Sequence, residues 1–153
     1  MIKKYKQFNE ASQIPTAEFP PFEELEDHFL RLKEVFGCYI EFETYNKKGN
    51  FISGCSAGLC RTRMRYPGSV SEISAVVYVP NEEHKKFPKD GDIRVNKIID
   101  ELNQIKNRIE SMYPKIIVRL VNIGGGWMGS EWWNEELNCS QQGIVLYANI
   151  SKE

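Results

Sequence analysis

The sequence predicts an α+β domain, two helices packed on one face of a largely antiparallel sheet of five to six strands. Three observations carry that expectation. Two stretches, near residues 22–36 and 92–113, repeat apolar side chains at helical spacing. Several shorter runs alternate apolar and polar residues instead. Their order is helix, three or four strands, helix, two strands, with no internal repeat, low-complexity block or linker.

Residues 1–20 mix Lys3, Lys4 and Lys6 with Pro15 and Pro20 and are expected to form a tail or an edge segment. Residues 21–153 are expected to form the single domain. Pro20-Pro21 opens the first helix. Phe22, Leu25, Phe29, Leu32 and Phe36 share one helical face, and Glu23, Glu24, Glu26 and Asp27 place negative charge at its positive end. Gly37 supplies the left-handed residue that stops it. From Cys38 to Tyr45 the period drops to two: Cys38, Ile40 and Phe42 face one way, and Tyr39, Glu41, Glu43 and Tyr45 the other. Asn46 to Asn50 reads as a hairpin loop with Phe51 to Ser56 pairing back. Leu59 to Tyr66 alternates again, Tyr66-Pro67-Gly68-Ser69 has the order of a type II turn, and Glu72 to Val79 is an aliphatic strand. An antiparallel meander from Cys38 to Pro80 is the expected result.

Asn81 to Gly91 reads as a polar loop. Beyond it, Val95, Ile98, Leu102, Ile105, Ile109 and Met112 recur at steps of three and four, with Ile99 widening the stripe. Asp92 or Asn96 can cap this helix, and Pro114 ends it. A face so broad is expected to lie on the sheet. Lys115 to Asn122 carries five aliphatic residues and is expected to be a central strand covered on both faces. Gly143 to Ile150 alternates once more. Between these two strands, residues 123–142 are expected to form a long loop with a short helix opened by Ser130, on which Trp133 and Leu137, four apart, would plug the core.

At 153 residues the chain is long enough to bury an ordinary core, and 41% apolar with 27% charged residues is the composition of a soluble globular protein. A formal net charge of −1 removes any global attraction to nucleic acid or anionic membrane. No run is apolar enough to span a bilayer, and residues 1–15 lack the core of a signal peptide. A cytoplasmic location follows as the expectation, with Cys38, Cys55, Cys60 and Cys139 as reduced thiols.

Two stretches look made for binding. Arg61, Arg63 and Arg65 would project from one face of a strand about 6–7 Å apart. Three adjacent guanidiniums call for anions, and arginine holds phosphate or carboxylate through paired hydrogen bonds. The plain alternative is a solvated face answered by Glu41 and Glu43. The second stretch is Gly124-Gly125-Gly126-Trp127-Met128-Gly129, with Trp132 and Trp133 close behind. It satisfies G-x-G-x-x-G, yet a dinucleotide fold also needs a complete βαβ unit and an acid about 20 residues on, and Ile144 to Ser151 contains no acid. What survives is a row of backbone amides that could meet an anion, beside indoles that stack on bases or anchor protein interfaces.

Metal and nucleophile readings are thinner. Cys55 and Cys60 have no second close Cys/His pair to complete a zinc site. A thiolate at either position, helped by the arginines and His84, would define a small cysteine-dependent enzyme. The expected function is a non-catalytic domain binding an anionic, phosphate-bearing, nucleotide-like small molecule, without metal or cofactor. Its site would be Arg61, Arg63, Arg65, Gly124, Gly125, Gly126, Trp127 and Trp132. The rival is a protein-interaction module of inhibitor or immunity type, with the tryptophan loop as hot spot and the acidic first helix as steering surface.

Overall fold

The computed structural model describes residues 19–56, 70–81, 93–125 and 127–152. Both apolar stripes are helices. Helix α1 (Phe22–Glu34) buries Phe22, Leu25, Phe29 and Leu32, and helix α2 (Ile93–Met112) buries Val95, Ile98, Leu102, Ile105 and Ile109. The Pro21 carbonyl accepts the Glu24 and Leu25 N–H groups at the start of α1. At its end Gly37 adopts φ +71°, the left-handed conformation expected from the sequence. Phe19 already belongs to the core, with the Lys152 ammonium 5.4 Å from its ring centroid. The Leu59–Tyr66 run, the turn at Tyr66–Ser69, residues 82–91 and the Asp92 cap lie outside the described residues.

The strands are β1 (Tyr39–Asn46), β2 (Phe51–Ser56), β3 (Val70–Pro80), β4 (Ile116–Val121), β5 (Ser130–Asn134) and β6 (Cys139–Lys152). They form one six-stranded antiparallel sheet in the order β2-β1-β3-β6-β4, with β5 also paired to β6. Ile40 and Phe42 of β1, Ile73, Ala75, Val77 and Val79 of β3, and Ile144, Leu146, Ala148 and Ile150 of β6 join the helix stripes in one core. Phe42 receives the edges of Phe22 and Phe29 at 5.2 and 5.5 Å between centroids, which seats α1 on β1. Between the helices, the buried carboxylate of Glu101 meets Arg31 at 3.2 Å and Arg108 at 3.9 Å.

Two expectations are corrected. Strand β4 is an edge strand, not a central one: Ile116 and Val118 are buried, while Ile117 and Arg119 face solvent. Aliphatic composition alone does not show how many faces of a strand are covered. Nor does Ser130 open a helix. It starts β5, and β6 begins at Cys139, ahead of the apolar alternation. Trp133 and Leu137 therefore plug nothing; both are exposed. On a strand neighbouring side chains take opposite faces, so Trp132 turns in and Trp133 turns out.

Strands β4 and β5 lie along the same edge of β6. Val121 pairs with Tyr147 and Ser130 with Gly143, so residues 122–129 stand opposite only 144–146. This excursion is tied down. Asn122, at φ +67°, gives its side-chain amide to the Val145 carbonyl at 2.5 Å, a group that β4 and β5 leave open. Trp127 folds back against the helix-side core and donates its indole N–H to the Asn122 carbonyl at 3.0 Å.

Gly143 pairs with Pro80 on one side and Ser130 on the other. A Cβ at this position would lie 1.9 Å from the Val79 carbonyl oxygen and 2.9 Å from the Pro80 Cα. Both obstacles are backbone, so no rotamer relieves them.

Two stability measurements test this framework. Leu102→Ala, in the middle of the buried α2 stripe, is expected to lower unfolding free energy by about 2–5 kcal/mol in denaturant titration; an unchanged midpoint would remove α2 as the packing platform. Gly143→Ala is expected to cost about 1–3 kcal/mol or more through overpacking. Gly124→Ala, with nothing within 4 Å of its added methyl, should leave the midpoint in place.

Candidate functional site

The face of the sheet away from the helices is the first surface with chemistry on it. Tyr39, Glu41, Glu43 and Tyr45 of β1 stand in register with Tyr78, Val76, Ser74 and Glu72 of β3, and these with Val145, Tyr147, Asn149 and Ser151 of β6. Phenols hold the carboxylates in place. Tyr78 donates to Glu41 Oε1 at 2.9 Å, Tyr39 to Glu41 Oε2 at 3.4 Å, and Tyr45 to Glu43 Oε1 at 2.6 Å. The bond to Glu43, with burial and the nearby negative charges behind it, pushes the Tyr45 hydroxyl up to about 12. Burial, then the bond to Glu41, pushes Tyr78 up as well. A row of rings runs across the same face, from Tyr39 to Tyr78 at 5.7 Å and on to Trp132 at 4.8 Å.

Beside this network lies an open depression of about 510 Å³, lined by residues that include Tyr45, Lys47, Glu72, Ser74, Tyr147 and Asn149. Ser74 donates its hydroxyl to Asn149 Oδ1 at 2.9 Å.

The residues singled out from sequence are dispersed. Arg61, Arg63, Arg65 and Gly126 lie outside the described residues, so the arginine stripe rests on sequence alone. Gly124 and Gly125 sit in the 122–129 excursion, where Gly125 takes φ +97°. Because β5 replaces the expected helix, no helix N-terminus follows these glycines to reinforce their amides. Trp127 packs on the helix side of the sheet, whereas Trp132 is 8% exposed against Tyr78 on the other side. These two indoles do not face a common ligand.

The outer edge of β4 and β5 is the second surface. On β4, Glu110 Oε2 accepts the Val118 N–H at 2.9 Å, while Lys106 Nζ donates to the Val118 carbonyl at 2.8 Å and to Glu110 at 2.7 Å. Two side chains of α2 thus occupy the backbone groups that Val118, in the middle of β4, would offer to another strand. Burial raises the Glu110 carboxyl, but the bonds from Lys106 and the Val118 N–H outweigh it and hold the group below the ordinary range. Among the described residues no side chain closes β5 in the same way. Its surroundings are apolar and exposed: Met128 is 84% exposed, Trp133 54% and Leu137 60%. The turn behind it is built by Asn134, which donates to Gln141 at 2.7 Å and accepts the Leu137 N–H at 3.1 Å. None of these partners was visible as a sequence motif. The only signal was three tryptophans within seven residues.

Cys60, His84 and the side chain of Cys55, on which the thiol reading rests, lie outside the described residues. Burial pushes the Cys38 thiol up to about 12, and no hydrogen bond joins a thiol to His28 among the described residues. Cys139 is exposed at the start of β6. No cluster of three or more His, Cys, Asp or Glu suited to a metal occurs among the described residues. No described helix is long and apolar enough to cross a membrane.

The β4 closure makes a prediction of its own. Glu110→Ala leaves the Val118 N–H unpaired and is expected to lower stability by about 1–3 kcal/mol at neutral pH. The native pKa is depressed, so this contribution is present above the unfolded value. It disappears as the pH falls through the folded one. The gap between parent and variant in urea titrations should therefore close on acidification below the ordinary carboxylate range. A gap that stays constant with pH would mean the carboxylate is not the group that matters.

Comparison of the chain with protein-family models, with curated proteins and with solved structures finds no match.

Proposed function

We propose that this protein is a protein-interaction module, and that the outer edge of β5 receives an extended segment of a basic partner chain as an added strand. One observation carries the reading: Lys106 and Glu110 close the edge of β4 at Val118, while among the described residues no side chain closes β5, which lies beside exposed Met128, Trp133 and Leu137. An open edge strand is a template for pairing, and natural proteins cover or charge edges that have no such use. Exposed tryptophan is the side chain most often found to dominate such contacts.

Charge selects the kind of partner. Glu131 and Glu135 lie on the hairpin, and an ion pair between Lys33 and Glu136 ties its turn to the end of α1. Helix α1 carries Glu23, Glu24, Glu26 and Asp27 in its first turns and Glu34 at its end. Antiparallel pairing of two copies through β5 would bring acidic edges together, which disfavours a homodimer here. A cationic chain is steered and accepted instead.

Selection from a random-peptide display library on the immobilised protein tests this. Enriched peptides are expected to carry net positive charge and to protect amides of residues 130–134 from exchange. Trp133→Ala should weaken their binding about tenfold or more, with the unfolding midpoint unchanged. Peptides that bind this variant as tightly as the parent, or that protect α1 and leave β5 exchanging freely, would remove the reading.

A further inference from the structure

We infer that the helix-free face carries a separate site for a small organic ammonium compound bearing hydroxyl or carboxylate oxygens, seated in the depression between Tyr45, Glu72 and Tyr147. The site exists because a small residue, Ser74, stands where Tyr45, Tyr147 and the turn at Asn46–Gly49 form the walls. Its volume of about 510 Å³ falls in the usual range for small-molecule sites.

Some of the polar groups around it bond to one another, as Ser74 does to Asn149, and others are left to meet a ligand. Glu72 lines the depression, and among the described residues no hydrogen bond or ion pair engages its carboxylate. Glu43, one residue pair away on the same face and outside the lining, accepts the Tyr45 hydroxyl with Oε1. The Glu72 carboxylate beside the Tyr45 and Tyr147 rings attracts a cation and offers it aromatic faces. The opposite wall is of other chemistry. Ser74 fixes Asn149 by its oxygen, so the amide N–H groups of Asn149 are left to donate into the depression. Lys47 stands exposed at the rim, with no ion pair among the described residues. These donors suit acceptor oxygens at the far end of the same ligand. The arrangement thus reads ammonium on the Glu72 side and oxygen on the Asn149 side.

Lysine, choline and glucosamine serve as ammonium probes in an amide-resolved NMR titration, with glucose and adenosine monophosphate as neutral and anionic controls. At least one ammonium probe is expected to shift Ser71, Glu72, Ser74, Tyr147 and Asn149 with a dissociation constant of about 1 mM or tighter. Glu72→Gln should weaken it about tenfold. Asp100→Asn, which removes a carboxylate from the exposed side of α2, should leave it unchanged. No residue of β5 lines the depression, so this result stands or falls apart from the edge reading. The unfolding midpoint of Glu72→Gln checks that its fold is intact. Failure of every ammonium probe to shift these amides overturns the inference. So does binding that survives Glu72→Gln at parental strength, or adenosine monophosphate occupying the depression more tightly.

Discussion

The passage of β6 across the end of β3 at Gly143 is the constraint on which the rest of the structure depends. One strand of 14 residues has to pair with β3 on one side and with both β4 and β5 on the other. At Gly143 it comes so close to Val79 and Pro80 that only a residue without a side chain fits. The β5–β6 hairpin leaves the sheet from that point. Its direction puts the Trp132 ring on Tyr78 and brings the Glu135 N–H to the Tyr39 hydroxyl, 3.4 Å away. Tyr39 and Tyr78 are in turn the phenols that hold Glu41. Close approach of two backbones at one glycine therefore reaches the carboxylate network on the helix-free face.

Much of the fold was legible in the sequence, because burial imposes a period. The stripes through Phe29 and Leu102 read as helices and are helices. The alternation from Cys38 to Tyr45 read as a half-buried strand, and its odd members do form the polar face. What was not legible has a common cause. Strand β5 holds Trp132 and Trp133 side by side and pairs with Cys139-Ser140-Gln141-Gln142, so neither partner shows an apolar alternation. The position of β4 was hidden for another reason: Ile117 is exposed on an edge, and hydropathy does not count neighbours. The site was less legible still. Lys106 and Glu110 read as a helix surface pair at i and i+4, and only the fold shows that both reach the Val118 backbone.

Edge management links these local details to function. An unpaired carbonyl or N–H at a sheet edge is an invitation to another strand. This chain answers it twice along one edge of the sheet. Asn122 gives its amide to the Val145 carbonyl in the gap between β4 and β5, and α2 closes Val118. Both devices use specific side chains in a fixed geometry, one of them with a residue at positive φ. The stretch at Ser130–Asn134, flanked by exposed Trp133 and Met128, has no such device among the described residues, and the proposed partner strand would pair there.

Net charge conceals how the charge is arranged. The chain totals −1, yet the hairpin, α1 and the helix-free face are all acidic where they are described. The compensating cations gather elsewhere in the sequence, at Lys3, Lys4 and Lys6, at Arg61, Arg63 and Arg65, and at Lys85, Lys86 and Lys89. Fields from exposed charges fade over roughly 8–10 Å in physiological salt, so a partner meeting one surface responds to that surface and not to the total. On these two proposals, the acidic hairpin and the depression at Glu72 would each take a cation on a protein whose overall balance is nearly neutral. The means would differ, steering at an exposed edge in one and the groups of Glu72 and Asn149 in an open depression in the other.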